Sequence, residues 1–314
     1  MTSYILRRLV HMLPVLLLVS AIVFFVFHII PGDMAVARLG QGADPQTIAV
    51  MRHAMGLDRP LWVQYLDWLG AALRGDLGNS YLNDQPVVSL ILQTLPATLE
   101  LAILGMLLAL VLSVPLGVLS AYRSGTWIDH LGRFLALAGF CIPRYWLAVL
   151  LILAFALNVQ WFPVSGYADF TADPVSNLKH AALPVLSLAI TVAAIQMRFL
   201  RSSLLDVIGQ DYVRTARAKG LAAQAVLVRH ALKNALIPFV TVIGLELGAL
   251  LGGLVVVEQI FAWPGIGWLM IQSIDARDYA TVQGIVLVIA AGVVLINLAV
   301  DVLYARLDPR IHYA

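Results

Sequence analysis

The sequence predicts an all-α, polytopic membrane protein with six transmembrane helices. Three observations carry that expectation. The 314-residue chain is 61% hydrophobic and only 12% charged, whereas soluble domains hold about 45–50% apolar and about 25% charged residues. A chain of this composition cannot cover a water-facing surface. Its apolar residues gather into runs long enough to cross a hydrocarbon core about 30 Å thick, and its Lys and Arg residues fall unevenly on alternate loops, as a fixed orientation in a bilayer requires.

The six runs lie at Leu9–Ile30, Ala97–Ala121, Arg133–Ala156, Ala181–Leu200, Ile237–Val257 and Thr281–Leu303. The triplet Ala35-Val36-Ala37 after the first run is similar to a signal-peptide cleavage site. The run itself is longer than the apolar region of a cleaved signal, about 7–15 residues, so the first helix is expected to be retained. With the N-terminus inside, the inner segments hold Arg7, Arg8, Arg123, Arg133, Arg198, Arg201, Arg214, Arg217, Lys219, Arg229, Lys233, Arg306 and Arg310. The outer loops hold only Arg38, Arg52, Arg59, Arg74, Lys179 and Arg277. This bias places both termini in the cytoplasm. The single cysteine, Cys141, excludes an intrachain disulfide, and no Cys/His cluster has metal-ligand spacing.

The outer loop from Pro31 to Pro96 is too long to lack structure of its own. Asp44-Pro45 offers a helix start and Gly56 a stop; Asp58, Arg59-Pro60 and Gly75 repeat the pattern. In the second helix Leu61, Tyr65, Trp68 and Leu69 form an apolar stripe with Trp62 beside it, suited either to the bilayer interface or to the transmembrane helices. A helical cap without chemistry of its own is the expectation for this loop.

The largest inner segment reads "DYVRTARAKGLAAQAVLVRHALKNALIP" at 211–238. Asp211 suits an N-cap, Tyr212–Lys219 a helix of about two turns, and Gly220 its C′ stop. Ala223–Ala235 suits a second helix leading into the fifth span. Two turns alone are unstable in water, so a groove on a partner protein and a solvated loop drawn to anionic headgroups both remain open on the residues alone.

Within the spans, Gly244, Gly248 and Gly252 recur at four-residue spacing, a face that lets helices approach closely. Pro143 should kink the third span. Arg144 and Glu246 fall near the middle of the third and fifth spans, where a central charge costs at least about 2.5–3.5 kcal/mol. Each should therefore face another helix or a water-filled cavity, either paired with the other or lining that cavity. His28, at the outer end of the first span near Asp33, reads as an interfacial side chain rather than a metal ligand. "VEQIFAWPGIG" at 257–267 places aromatics suited to the interfacial belt and glycines suited to a tight turn just outside the fifth span.

Several of these stretches, in this order, resemble the membrane-spanning subunits of bacterial ATP-binding-cassette importers of the peptide/nickel permease group. They are "ILRRL", "PGD" at 31–33, "GLDRPLWVQY", "GDLGNS", "LPATLELA", "DYVRTARAKG", "RHALKNALIP", "VEQIFAWPGIG" and "LDPR" at 307–310. The resemblance runs over essentially the whole chain. It implies a binding-protein-dependent, type I importer fold, with a first helix and helical external loop over 1–95 and a transmembrane core over 96–314.

It further implies that the short helix in the cytoplasmic loop 201–236 docks on an ATPase subunit. The family's Glu-Ala-Ala-x-x-x-Gly motif falls on Arg214-Thr215-Ala216 and Gly220, where only Ala216 and Gly220 match it. The coupling residues implied are Asp211, Tyr212, Arg214, Thr215, Ala216, Arg217, Ala218, Lys219 and Gly220. Arg144 and Glu246 become candidates for the translocation cavity, and Glu258, Trp263 and Pro264 for the outer mouth. The implied partners are a second homologous permease, two ATP-binding subunits and an external solute-binding protein, in the bacterial cytoplasmic membrane. No G-x-x-x-x-G-K-[ST] phosphate loop occurs here, so ATP and Mg²⁺ would serve partner subunits, and this chain would bind no cofactor and be no enzyme by itself.

The expected cargo is a short peptide. Nickel or a metal-chelate is the alternative within the family, since "SVPLG", "YWLAVLLILAF" and "QWFPVSGY" are similar to nickel-type permeases. A secondary transporter would require repeated broken helices, and a membrane enzyme a catalytic dyad or H-E-x-x-H within a span; neither pattern is present.

Overall fold

The computed structural model describes residues 2–29, 34–39, 42–54 and 56–307, and every regular element among them is helical. In chain order these are α1 (Thr2–Ile29), α2 (Met34–Leu39), α3 (Pro45–Ala54), α4 (Leu61–Ala72), α5 (Val87–Tyr122), α6 (Trp127–Cys141) and α7 (Arg144–Leu151), which a π-helical segment Ile152–Asn158 continues. Then come α8 (Pro174–Ile208), α9 (Asp211–Ala218), α10 (Ala223–Ala225), a second π-helical segment Val226–Leu232, α11 (Lys233–Phe261), α12 (Ile266–Asp275) and α13 (Tyr279–Leu307). Pro31 and Asp33 of the "PGD" stretch, and Asp308 to Arg310 of "LDPR", lie outside the described residues.

Among the described residues five helices are long and apolar enough to cross a membrane, or six when α6 and the α7 segment are taken as one span. Those two are bent by 100°. The expected kink at Pro143 is thus a break: α6 ends at Cys141, and Pro143, in an extended conformation, is the N-cap of α7. The ring removes the N–H that would continue α6 and fits the helix-start position that α7 offers. Arg144 is consequently the first residue of α7 rather than a mid-helix residue.

The expected boundary at Pro96 is also displaced. Helix α5 begins at Val87 and runs through Pro96 and Pro115 to Tyr122. Losing one hydrogen bond at a proline costs less than leaving a whole apolar segment's backbone unpaired, which favours continuing the helix.

Two compact units separate in the chain, one within 1–98 and 264–294, the other within 99–263 and 295–314. In the first, α3 begins at Pro45 with Gln46 N–H donating to Asp44, and Gly56 takes φ +67° after it, as the sequence predicts. The α4 stripe lies on α1. Tyr65 Oη is 2.9 Å from Ser20 Oγ, and its ring meets Phe24 and Phe25. Trp62 stays 64% exposed. Asp278 is buried before α13 and accepts from Ser80 Oγ (2.6 Å), the Tyr81 N–H and Thr281 Oγ1 (2.7 Å), tying segment 80–81 to the start of that helix.

The second unit is organised on α8. Asp173 caps it by accepting from the N–H groups of Val175 and Ser176, with Pro174 as the first helical residue. Small residues let its neighbours close in. A Cβ on Gly117 of α5 would stand 3.2 Å from the Met197 carbonyl oxygen, and one on Gly139 of α6 would stand 3.1 Å from Ala194 Cβ. Its buried Gln196 accepts a hydrogen bond from Ser113 Oγ at 2.9 Å, so the polar side chain within the apolar packing is satisfied.

Candidate functional site

The segment around α9 is built by its own neighbours. Val213 and Ala216 are buried and pack with Val226, and Asn234 Nδ2 donates to Tyr212 Oη at 2.9 Å. These contacts hold a helix that two turns could not sustain alone. Asp211 is not the N-cap expected from sequence. Gln210 occupies that position without a side-chain bond, and Asp211 is the first helical residue. There its carboxylate faces the positive end of the helix dipole, and Arg214 Nη1 lies 3.5 Å from it.

Gly220, at φ +78°, stops the helix in the left-handed region that favours glycine. Ala216 turns inward to this chain. The exposed positions are Asp211, Tyr212, Arg214, Thr215, Arg217, Ala218 and Lys219. Behind the helix, Arg217 lines a cavity of about 140 Å³ together with Tyr122, Ile208 and Val226. The expected second helix is present from Ala223, but its next seven residues, Val226–Leu232, are π-helical. Such a segment inserts extra backbone and is often found at functional positions.

Arg144 and Glu246 come together. Arg144 Nη2 lies 4.0 Å from Glu246 Oε2, and the side chains are 28% and 15% exposed. Arg144 Nη1 stands 2.7 Å from where a Cβ of Gly253 would be, so the guanidinium lies along α11 at a residue that leaves room for it. Of the glycine series, Gly244 abuts Val300 of α13, where a Cβ would overlap the valine side chain, while Gly252 has open space.

Glu258 and Trp263 are fully buried and Pro264 half-buried. Trp263 is therefore not a belt residue at an interface. Its ring meets Tyr167 edge-on at 4.7 Å, and its backbone N–H donates to the Glu258 carbonyl at 2.8 Å. The tight turn expected of the glycines is made instead by Ala262, at φ +48°, while Gly265 is extended and Gly267 is helical. His28 is within hydrogen-bond distance of the Phe24 carbonyl (2.8 Å) and Gln64 Oε1 (3.3 Å).

Two features had no clear sequence signal. Asp129, 1% exposed, is gripped by Arg201 (2.6 and 2.8 Å), Ser120 Oγ (2.6 Å) and the Gly125 N–H (3.0 Å). The acid and the arginine are too far apart in sequence for any spacing rule to pair them. Tyr167 donates to Glu100 Oε2 at 3.3 Å, and Glu100 Oε1 is buried without a hydrogen-bond partner. Burial first, then the Glu100 charge and hydrogen bond, push the Tyr167 hydroxyl up to about 12.

Comparison with known proteins gives this arrangement its context. The family described as binding-protein-dependent transport system inner membrane component matches residues 113–313, and the N-terminal family of the same systems matches residues 1–102. The dipeptide transport system permease protein of Alkalihalophilus pseudofirmus is 40% identical over 334 aligned positions, covering 100% of both chains. The glutathione transport system permease protein of Salmonella typhimurium is 42% identical over 313, again covering 100% of both. Among solved structures, the MetNI methionine ABC transporter in inward-facing conformations shares the fold, with a TM-score of 0.56 and 22% identity over 70% of this chain and 96% of that one. This chain belongs to the family of binding-protein-dependent transport system inner membrane components.

Proposed function

We propose that the chain is the permease subunit of an ATP-driven importer of short peptides. The observation that carries this is end-to-end similarity, 40–42% identical, to permeases named for dipeptides, peptides and glutathione. The same names weigh against the nickel alternative. Family membership makes the chain a membrane transport component and not an enzyme; ATP and Mg²⁺ belong to separate ATP-binding subunits.

The finer reading is a type I importer subunit with six spans and both termini in the cytoplasm of a bacterial inner membrane. Residues 96–314 act as its core, and residues 1–95 add the first span and external helices. A second homologous permease completes the pathway, two ATPases drive it, and an external solute-binding protein delivers cargo near Glu258, Trp263 and Pro264. The α9 segment from Asp211 to Gly220, held from behind by Val226 and Asn234, presents its exposed side to an ATPase and transmits closure into α8 and α11.

The test is purification of the tagged chain from membranes, followed by reconstitution with the proteins that accompany it. Co-purification of ATPase subunits and ATP-dependent, binding-protein-dependent uptake of labelled alanine peptides are expected. Peptide uptake by the chain alone, without ATP, would overturn the reading.

A further inference from the structure

The pair formed by Arg144 and Glu246 is incomplete in a way that points to a third participant. At 4.0 Å the two side chains attract one another but lie beyond hydrogen-bond reach. A guanidinium presents five N–H donors in a fixed fork and a carboxylate about four acceptor positions, and this separation uses none of them. Both side chains are also partly exposed, 28% and 15%, although they sit at the break of one apolar segment and in the middle of another. A lipid-facing position there is strongly unfavourable for either charge. The exposed side of the pair therefore faces water or protein.

The surroundings keep the arginine available. Glu246 and Gly253 are seven residues apart on α11 and so share one face. The guanidinium lies along that face, with Nη1 at 2.7 Å from the place a Cβ of Gly253 would take. Any larger residue at 253 would push it away. The 100° break at Ile142-Pro143 brings Arg144 to this face as the first residue of a new helix. Opposite charges are thus held close enough to keep each other in the membrane and far enough apart to be exchanged.

We infer that Arg144 and Glu246 form a binding site for the two charged ends of a zwitterionic peptide in transit, an inference that rests on the peptide-importer reading above. The guanidinium takes the α-carboxylate in a bidentate fork, and the carboxylate takes the α-ammonium. A dipeptide spans at most about 7 Å between its ends, so the two side chains part by several ångströms on binding and close on each other once the peptide leaves. Each charge gains with the peptide the short hydrogen bonds it lacks with its neighbour, and the site discriminates against peptides whose ends are blocked.

The test uses the intact complex in proteoliposomes, with its own binding protein saturated, and three labelled probes: dialanine, dialanine amide and N-acetyl-dialanine. Arg144→Ala should lower dialanine uptake at least about tenfold, the worth of one charge-assisted hydrogen bond, and amide uptake less than about twofold. Glu246→Gln should spare the acetylated peptide in the same way. Equal losses for free and blocked peptides, with the complex assembled, would make the pair a structural lock and overturn the inference; so would unchanged uptake of all three.

If Arg144→Ala fails to assemble, Arg144→Lys decides. It retains a charge but not the fork, and it should shift the dialanine-to-amide ratio at least about threefold; an unchanged ratio overturns the inference. Alanyl-photoleucine, which carries both free ends, gives an independent reading. Under turnover it should label residues 143–147 or 246–253, and labelling confined to other segments overturns the inference. Absence of uptake of alanine peptides from two to five residues by the wild-type complex would overturn the peptide reading itself, whereas normal wild-type uptake with a failed variant result removes only this site.

Discussion

One guanidinium, that of Arg201, holds both carboxylate oxygens of Asp129, at 2.6 and 2.8 Å. Ser120 and the Gly125 N–H complete the carboxylate's partners, and Arg133 Nε lies 3.7 Å away. This knot joins the end of α5, the turn before α6 and the lower part of α8, the helix that leads directly into α9. Arg201→Met should destabilise the protein by about 3–5 kcal/mol, because it leaves a buried carboxylate without the counter-charge that holds both its oxygens. Asp129→Leu combined with Arg201→Met should recover much of that loss. Thermal unfolding in detergent measures both; a neutral Arg201→Met would show that the knot carries no stability.

The two glycines of α11 that differ most in surroundings give a second prediction. Gly244 has no room beyond its Cα because Val300 occupies it, and Gly252 faces open space. Gly244→Leu should lower stability by about 1–3 kcal/mol or more through overpacking, while Gly252→Leu should be near neutral. Val300→Ala should rescue part of the Gly244→Leu defect, giving a measurable coupling in a double-mutant cycle. Equal effects at the two glycines would contradict the packing described.

The two faces of α9 predict different failures. Val213 and Ala216 are buried against this chain, whereas Thr215 and Ala218 are exposed. Ala216→Leu should lower thermal stability. Ala218→Trp and Thr215→Trp should leave stability unchanged and reduce ATP-dependent uptake at least about tenfold by spoiling the outward face. Full uptake with both tryptophans in place would exclude that face from ATPase contact.

Local chemistry made much of this legible from sequence. Asp44-Pro45 and Gly56 mark the ends of α3, and Gly220 ends α9, because start and stop positions follow from backbone conformation alone. The long apolar runs located the five long apolar helices and the bent α6–α7 pair for a similar reason. What escaped depends on contacts between distant residues. Nothing near Asp129 announces Arg201, and nothing near Tyr167 announces Glu100. Asp278 capping α13 while holding Ser80 was equally hidden. Ala216, which the resemblance implies as a coupling residue, is turned inward by its helix phase with Val213. At Pro143 the local rule was right and understated, since whether a proline kinks or breaks a helix depends on where the next helix packs.

Tyr167 supplies the pH-dependent prediction. Its hydroxyl is pushed from 10.0 up to about 12, chiefly by burial and next by the Glu100 carboxylate that accepts its proton bond. The folded protein therefore holds this proton more tightly than the unfolded chain does. The stabilisation is complete below pH 10 and is lost as pH rises toward 12, because the unfolded tyrosine ionises there while the folded one resists. Wild type should lose stability across that window relative to Tyr167→Phe, which has nothing to ionise. Below pH 10 the order reverses: the phenylalanine variant should be weaker by about 0.5–1.5 kcal/mol, having lost the hydrogen bond to Glu100. Difference curves from thermal unfolding at pH 8 to 12 measure both effects, and tyrosinate absorbance in the folded protein reads the titration directly. A Tyr167 that ionises near pH 10 would mean that the hydroxyl is neither buried nor paired with Glu100 in solution.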